Sequence, residues 1–109
     1  MQQCLVEECK RIKDEDWLTD NELALELVRI ERQNQNEKWG VQDHSLTEWC
    51  TILGEEFGEL CEAINETVLY NADKPERSGI ENILKECVHV SAVAVQILEK
   101  IIPEVLKKF

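Results

Sequence analysis

The chain has 109 residues and a formal net charge of −11 at neutral pH. This length suits a single domain, since typical domains run to roughly 100–200 residues. No basic run is longer than Lys107-Lys108, so we expect the backbone of DNA or RNA to be repelled. A small polyanion such as a nucleotide would meet the same repulsion and would need metal ions to bridge it to the acidic side chains.

Cysteine usage and hydropathy indicate the compartment. Five cysteines occur, at positions 4, 9, 50, 61 and 87, and no two form a CxxC pair. An odd number without paired spacing is typical of reduced cysteines in an intracellular protein. The first residues hold no apolar signal core, and no apolar run approaches the ~20 residues that span a bilayer. We therefore expect a soluble, cytoplasmic protein.

Two capping boxes mark the starts of long helices. In each box, a hydroxyl group and a carboxylate three residues later satisfy free backbone amides of the first turn. Thr19-x-x-Glu22 predicts a helix to about Lys38, where Trp39-Gly40 stops it. Ser45-x-x-Glu48 predicts a second long helix over residues 46–70.

The remaining segments complete an all-α pattern. Residues 71–79 are polar and contain Pro75 and Gly79, which predicts a loop. A third long helix follows over residues 80–102, and Pro103 either ends or kinks it. Residues 2–14 are compatible with a short helix, and no segment alternates as a strand would. The predicted fold is an all-α helical bundle of three long helices plus a short terminal helix.

Acidic residues border an apolar arc on the second long helix. At ~100° per residue, Glu56 falls at one margin of the arc and Glu59 lies just beyond it. The glutamates at positions 48, 55, 62 and 66 continue toward solvent. Gly58 lies in mid-helix, which predicts that a backbone or ligand approaches closely there. The arc itself comprises Trp49, Cys50, Leu53, Phe57, Leu60, Cys61, Ile64 and Val68.

The third long helix places Glu86 inside one edge of its own apolar arc, with His89 further out. Burial of a carboxylate without a partner would cost several kcal/mol or force protonation. If the two helices pack antiparallel through their arcs, Glu56, Glu59 and Glu86 face one another. The arc is too wide for one covered stripe, which favours a homodimer or homotetramer. It comprises Ile80, Ile83, Leu84, Cys87, Val90, Ser91, Ala94, Ile97, Leu98 and Ile101.

Converging carboxylates need positive charge. At about 5 Å and an effective dielectric near 20, each pair repels by roughly 3 kcal/mol. Oxygen ligation with few protein ligands suits Mg²⁺ or Mn²⁺. The alternatives are a solvated acidic face, an ion pair of Glu86 with a nearby Lys or Arg, and a hydrogen-bonded His89 that ligates nothing.

Two acidic motifs in this order carry a family resemblance. The first is Glu56-Phe57-Gly58-Glu59, preceded by Glu55, and the second is Glu86-Cys87-Val88-His89. With the segment Arg32-Gln33-x4-Lys38-Trp39-Gly40-x-Gln42-x-His44, they resemble the MazG-like nucleotide pyrophosphohydrolases of the all-α NTP pyrophosphohydrolase superfamily. The match covers approximately residues 27–102 of a single MazG-like domain over 1–109. The second motif departs from the superfamily, which has an aspartate where this chain has His89.

The resemblance implies hydrolysis of a nucleoside triphosphate between its α and β phosphates, releasing a monophosphate and pyrophosphate. Mg²⁺, or alternatively Mn²⁺, is the implied cofactor, and a water would attack the α-phosphorus with Glu55 or Glu59 as base. The expected metal ligands are Glu56, Glu59, Glu86 and His89. The expected substrate contacts are Arg32, Lys38 and Lys85 to phosphate, and Trp39, Gln42 and His44 to the base or sugar.

Two further functions stay open. The chain is alternatively a helical oligomerisation or regulatory module whose acidic strip binds a protein. A metal-dependent nucleotide binder without catalysis is the other alternative, because imidazole is a poorer Mg²⁺ ligand than carboxylate. Neither alternative includes a nucleic-acid polymer or a membrane as partner.

Overall fold

Four helices make up the part of the chain that the computed structural model describes, residues 5–69 and 79–108. They are α1 (Leu5–Asp16), α2 (Asp20–Trp39), α3 (Leu46–Leu69) and α4 (Ile80–Lys108). No strand occurs in these two ranges, so the all-α prediction is confirmed. Within the same ranges, no helix combines the length and apolarity needed to cross a membrane. The predicted loop, apart from Gly79, lies outside the described residues.

Both predicted capping boxes are present. The backbone amide of Glu22 donates to the Thr19 hydroxyl at 3.1 Å, and the Thr19 amide donates to the Glu22 carboxylate at 3.0 Å. Ser45 and Glu48 make the same reciprocal pair at 3.1 and 2.9 Å. Gly40 follows α2 with φ 73°, a left-handed φ that favours glycine.

Pro103 does not end α4, so that alternative of the prediction is wrong. The helix continues through Pro103 to Lys108. Proline removes one amide donor and leaves a carbonyl one turn earlier without its helical partner. That carbonyl belongs to Glu99, which is exposed, so water can satisfy it.

The central helix is α4, which packs against each of the other three. It runs antiparallel to α3, because the Gly79 amide at its start donates to the Thr67 hydroxyl near the end of α3 at 2.7 Å. Further along α4, His89 lies beside Glu56 of mid-α3. The two helices are therefore antiparallel, which is the orientation under which the sequence predicts that Glu56, Glu59 and Glu86 face one another.

Helix α2 runs alongside α4 in the same direction. Glu31 lies beside His89, and one turn later Gln35 bonds to Gln96 at 2.6 Å. The main core lies where α1, α2 and α4 meet. It is built from Leu5, Ile12, Leu23, Leu27 and Val88.

Only one margin of the predicted arc on α3 packs on α4. Phe57, at the centre of that arc, is 58% exposed, whereas Trp49, at the margin nearest Glu56, and Ala63, outside the arc, are buried. The packed stripe is displaced by roughly a quarter turn toward the margin that carries Glu56. Glu66, predicted to face solvent, is buried at 7% exposure.

The buried face of α4 also differs from its predicted apolar arc. Its buried face contains Val88 and Ala92, which lie outside the predicted arc, while Ile80 and Leu98 are exposed. By helix periodicity, the exposed strips of the two antiparallel helices lie on the side of the pair away from α2. We call this surface the outer apolar face. It comprises Phe57, Ile64 and Val68 of α3 with Ile80, Leu98 and Val105 of α4.

Candidate metal centre

Three of the predicted ligands converge between α3 and α4. Glu56, Glu86 and His89 each offer one ligand atom, and these atoms lie within 4.8 Å of one another. Nδ1 of His89 is 3.9 Å from Oε2 of Glu56 and 3.8 Å from Oε2 of Glu86. The i, i+3 spacing turns Glu86 and His89 the same way, and antiparallel packing brings Glu56 opposite them.

Two carboxylate oxygens in this cluster are buried without a hydrogen-bond donor. Glu86 is only 8% exposed, and its Oε2 receives no hydrogen bond from the described residues. The same holds for Oε2 of Glu56. Lys85 reaches the other oxygen of Glu86, Oε1, at 3.8 Å. The ion pair that was the alternative for Glu86 is thus present, but it leaves the inner oxygen unsatisfied.

The electrostatics of the cluster oppose ionisation. Burial raises the pKa of Glu86, and a hydrogen bond to the Glu59 carboxyl raises it further, because that bond requires one of the two groups to be protonated. Burial also raises the pKa of Glu56, and the charge of Glu59 adds to the effect. His89 lowers both pKa values. Lys85 also lowers the pKa of Glu86, but both pKa values remain raised, so these positive charges do not offset burial and the acidic neighbours.

The donor set fits a divalent cation. Two carboxylate oxygens and one imidazole nitrogen are ordinary ligands for such ions, and a cation among them would satisfy the buried oxygens. The imidazole moves the preference from Mg²⁺ toward Mn²⁺ or a later transition metal.

The other predicted acidic residues lie at the edge of the cluster. Glu59 is exposed and neighbours Glu86, where it lines a second cleft together with Lys85. It is not one of the three converging ligands. Glu55 is exposed, and its charge acts on Glu56. Both carboxylates are thus beside the cluster and open to water.

A cleft of about 240 Å³ opens next to the cluster, between α2, α3 and α4. Glu56 and His89 form part of its wall. Its other walls combine aromatic rings, apolar side chains and amides, which suit a ligand that has both a flat ring and polar edges. They include Trp39, Trp49, Gln35, Gln42 and Gln96.

Most of the residues predicted to contact the base or sugar lie at this cleft. Trp39 and Gln42 line it. The Lys38 ammonium stacks on the Trp39 ring at 4.5 Å, and His44 meets the ring of Trp49 edge-on at 4.8 Å between centroids. Lys38 and His44 thus support the two indoles.

Arg32 is directed elsewhere. Its guanidinium pairs with the Glu99 carboxylate, with Nε at 2.9 Å from Oε2, and also donates to Gln35 at 3.0 Å. The Arg32 side chain is 11% exposed and does not line the cleft. A phosphate contact from Arg32 would first require this pair to open.

Glu31 is the site residue that sequence reasoning missed. It is 4% exposed, and its Oε2 lies 3.8 Å from Nε2 of His89. Leu23, Leu27 and Glu31 follow one another at four-residue spacing and are all buried. Glu86 stands out in the sequence because it is a glutamate within an apolar stripe. Glu31 shows the same pattern on α2, so the sequence could have identified it.

No family model, curated protein or solved structure matches the chain. The resemblance to MazG-like enzymes therefore stays a prediction from motifs.

Proposed function

We propose that the chain is a metal-dependent nucleoside triphosphate pyrophosphohydrolase of the MazG-like type. It would cleave a (d)NTP to a (d)NMP and pyrophosphate in the reducing cytoplasm, as part of nucleotide-pool house-cleaning. The observation that carries the proposal is the convergence of Glu56, Glu86 and His89 beside a cleft with aromatic and amide walls.

The acidic side chains divide into two roles in this proposal. Glu56, Glu86 and His89 hold the cation, and Mg²⁺ or Mn²⁺ bound there would contact phosphate oxygens and offset charge on the leaving pyrophosphate. Glu59 and Glu55 are exposed next to the cluster, so either can accept a proton from an attacking water. In a chain of net charge −11, the cation is also what allows a polyphosphate to approach.

The cleft walls suit a nucleoside. Trp39 is 55% exposed and offers an aromatic surface for stacking, while the buried Trp49 forms part of the apolar wall. Gln42 can both donate and accept hydrogen bonds at the edge of a base. The nearby ammonium of Lys38 is placed to contact phosphate if it leaves the Trp39 ring.

We propose further that a second copy of this chain covers the outer apolar face. A large exposed apolar surface on two packed helices marks an interaction site. Pairing this face with itself around a two-fold axis would produce a four-helix layer in which α4 is covered on both sides. A homodimer results, and a homotetramer would require a second contact.

One observation favours nucleotide binding without catalysis as the second candidate. His89 stands where the superfamily has an aspartate, and it lies within 4 Å of three carboxylates. A site tuned away from Mg²⁺ could hold a metal–nucleotide complex and turn it over poorly.

A panel of deoxy- and ribonucleoside triphosphates, assayed for pyrophosphate release with Mg²⁺ and with Mn²⁺, tests the proposal. We expect one or more substrates to be cleaved, and both Glu56→Gln and Glu86→Gln to abolish release while the helical content is kept. Glu104→Gln removes the same charge from an exposed position on α4 and should retain activity.

The other outcomes identify the alternatives. Metal-dependent nucleotide binding without product would indicate the binder. Neither nucleotide binding nor thermal stabilisation by divalent metal would indicate the oligomerisation or regulatory module. Full turnover by either glutamine variant would show that the site is wrongly assigned.

A further inference from the structure

We propose that Glu31 is a positioning residue that orients His89 for metal binding, so that Glu31, His89 and the cation form a carboxylate–histidine–metal relay. The inference depends on the metal centre of the proposed function and adds a third helix, α2, to it. Glu31 would not itself touch the cation.

The two nitrogens of His89 face different partners. Nδ1 lies 3.9 and 3.8 Å from the inner oxygens of Glu56 and Glu86, which are the cation-binding pair. Nε2 lies 3.8 Å from Oε2 of Glu31. The imidazole therefore stands between the candidate metal position on one side and a single buried carboxylate on the other.

This arrangement determines which nitrogen can bind metal. A neutral imidazole carries one N–H, and the nitrogen without it is the ligand. For Nδ1 to bind the cation, the proton must be on Nε2, and the Glu31 carboxylate 3.8 Å away would accept a hydrogen bond from it once the two groups close to hydrogen-bond distance. Metal-binding histidines usually donate their other N–H to a carboxylate or carbonyl, which fixes the tautomer and the ring orientation.

Glu31 is itself held in place by a chain of amides. The side-chain nitrogen of Gln35 donates to Oε2 of Glu31 at 3.3 Å. The side-chain oxygen of Gln35, Oε1, accepts from Gln96 at 2.6 Å and from Arg32 at 3.0 Å. The bond from Gln96 connects α4 to α2. Together the bonds hold the Gln35 side chain in the position from which it donates to Glu31. Among the described residues, His89 is the one basic side chain within ion-pair distance of Glu31.

A second, independent observation points to a ligand at the other side of His89. Glu86 is more than nine-tenths buried, and its Oε2 is directed at the cluster without receiving a hydrogen bond from the described residues. A cation at this point would satisfy that oxygen and Nδ1 of His89 together.

The relay explains why a histidine can serve where the resemblance leads one to expect an aspartate. A carboxylate ligand has no tautomer to select and needs no acceptor behind it, whereas an imidazole does. The importance of position 31 should therefore depend on the residue at position 89.

A double-mutant cycle on Mn²⁺ affinity tests this dependence. Calorimetry with Mn²⁺ alone would compare the wild type, Glu31→Leu, His89→Asp and the double variant, all checked for helical content. Leucine continues the buried Leu23 and Leu27 stripe, so the fold should tolerate it. We expect Glu31→Leu to weaken Mn²⁺ binding about 10- to 100-fold in the wild type. In the His89→Asp background we expect no further loss.

Two controls separate orientation from charge. Glu31→Gln keeps an oxygen acceptor for the Nε2 proton and should lose less affinity than Glu31→Leu. Glu37→Gln removes the same charge from an exposed position on α2 and should bind as the wild type does. The ¹⁴N coupling of His89 in the spin-echo spectrum of bound Mn²⁺ should be present in the wild type and altered in Glu31→Leu.

Three results would overturn the inference. If the wild type binds Mn²⁺ and Glu31→Leu binds it equally well, Glu31 has no positioning role, while the metal centre stands. An equal loss in both backgrounds would indicate a purely structural role. If the wild type binds no Mn²⁺ and Mg²⁺ does not stabilise it, the metal centre and the relay both fail.

Discussion

At the scale of single residues, the buried acid Glu86 connects the fold to the chemistry. Its pKa is raised, first by burial and then by Glu59. A group whose pKa is raised in the folded state stabilises the fold at low pH, and this stability is lost as the pH rises through the folded pKa. Without metal at neutral pH, an ionised Glu86 therefore destabilises the protein.

The destabilising effect of an ionised Glu86 predicts how the substitution Glu86→Gln changes stability. Glu86→Gln keeps the shape of the side chain and removes the charge, so it should raise the melting temperature of the metal-free protein at pH 7. Each kcal/mol added to the free energy of unfolding would raise the melting temperature by roughly 4–8 °C in a domain of about this size. The gain should vanish below the ordinary glutamate pKa of 4.5, where the wild type is protonated as well. Calorimetry in the presence of a chelator measures the gain in melting temperature at pH 7 and its loss at low pH.

The same variant should lose the response to metal. Mn²⁺ should raise the melting temperature of the wild type and leave that of Glu86→Gln unchanged. A lower melting temperature for the metal-free variant at pH 7 would contradict the electrostatic account of the cluster.

Part of the site is predictable from the sequence at this scale. Glu86 stands out because a surface glutamate does not sit among branched apolar residues, and Glu56 because it lies at an arc margin. Glu31 is equally readable in principle. The pairing of Arg32 with Glu99 is not, because the two are 67 positions apart and meet only through the packing of α2 on α4.

At the scale of helices, the sequence predicts where α2, α3 and α4 begin better than how they are rotated about their axes. Caps are local, so Thr19 and Ser45 determine where α2 and α3 begin regardless of the rest of the fold. The rotation of a helix about its axis depends on all of its neighbours. The most apolar arcs of α3 and α4 face outward, and the packed stripes include polar residues such as Glu66.

Gly58 provides a prediction about the exposed side of α3. The sequence predicts a close approach at this mid-helix glycine, yet among the described residues no atom outside its own helical turn lies within 4 Å of the position a Cβ would occupy. Gly58→Ala should therefore raise the free energy of unfolding of the isolated chain by about 0.5–1 kcal/mol. Urea unfolding measures the change. A destabilised variant would indicate that a ligand or a second copy packs against this position.

At the scale of the whole molecule, the outer apolar face is a surface that the described residues leave exposed. Phe57 and Leu98 are more than half exposed on the side of the α3–α4 pair away from α2. The width of the apolar arc on α4 predicts such a face, because one chain of this size cannot cover the helix on all sides.

The outer apolar face predicts that the chain associates with a second copy of itself. The wild type should be a dimer or larger in light scattering coupled to size exclusion, and Phe57→Glu should shift it to a monomer by placing a charge in the interface. Leu25→Glu introduces the same charge at an exposed leucine on α2 and should leave the assembly intact. A monomeric wild type at micromolar concentration would rule out the proposed homodimer.

In the proposed metal centre, acid groups from α3 and α4 share one divalent cation with a histidine. Diffraction from crystals grown with Mn²⁺, recorded at the manganese edge, tests this arrangement most directly. We predict an anomalous peak between Glu56, Glu86 and His89, within coordination distance of each of the three side chains. Ordered Mn²⁺ bound elsewhere, or a cluster that remains without metal at saturating Mn²⁺, would contradict the account.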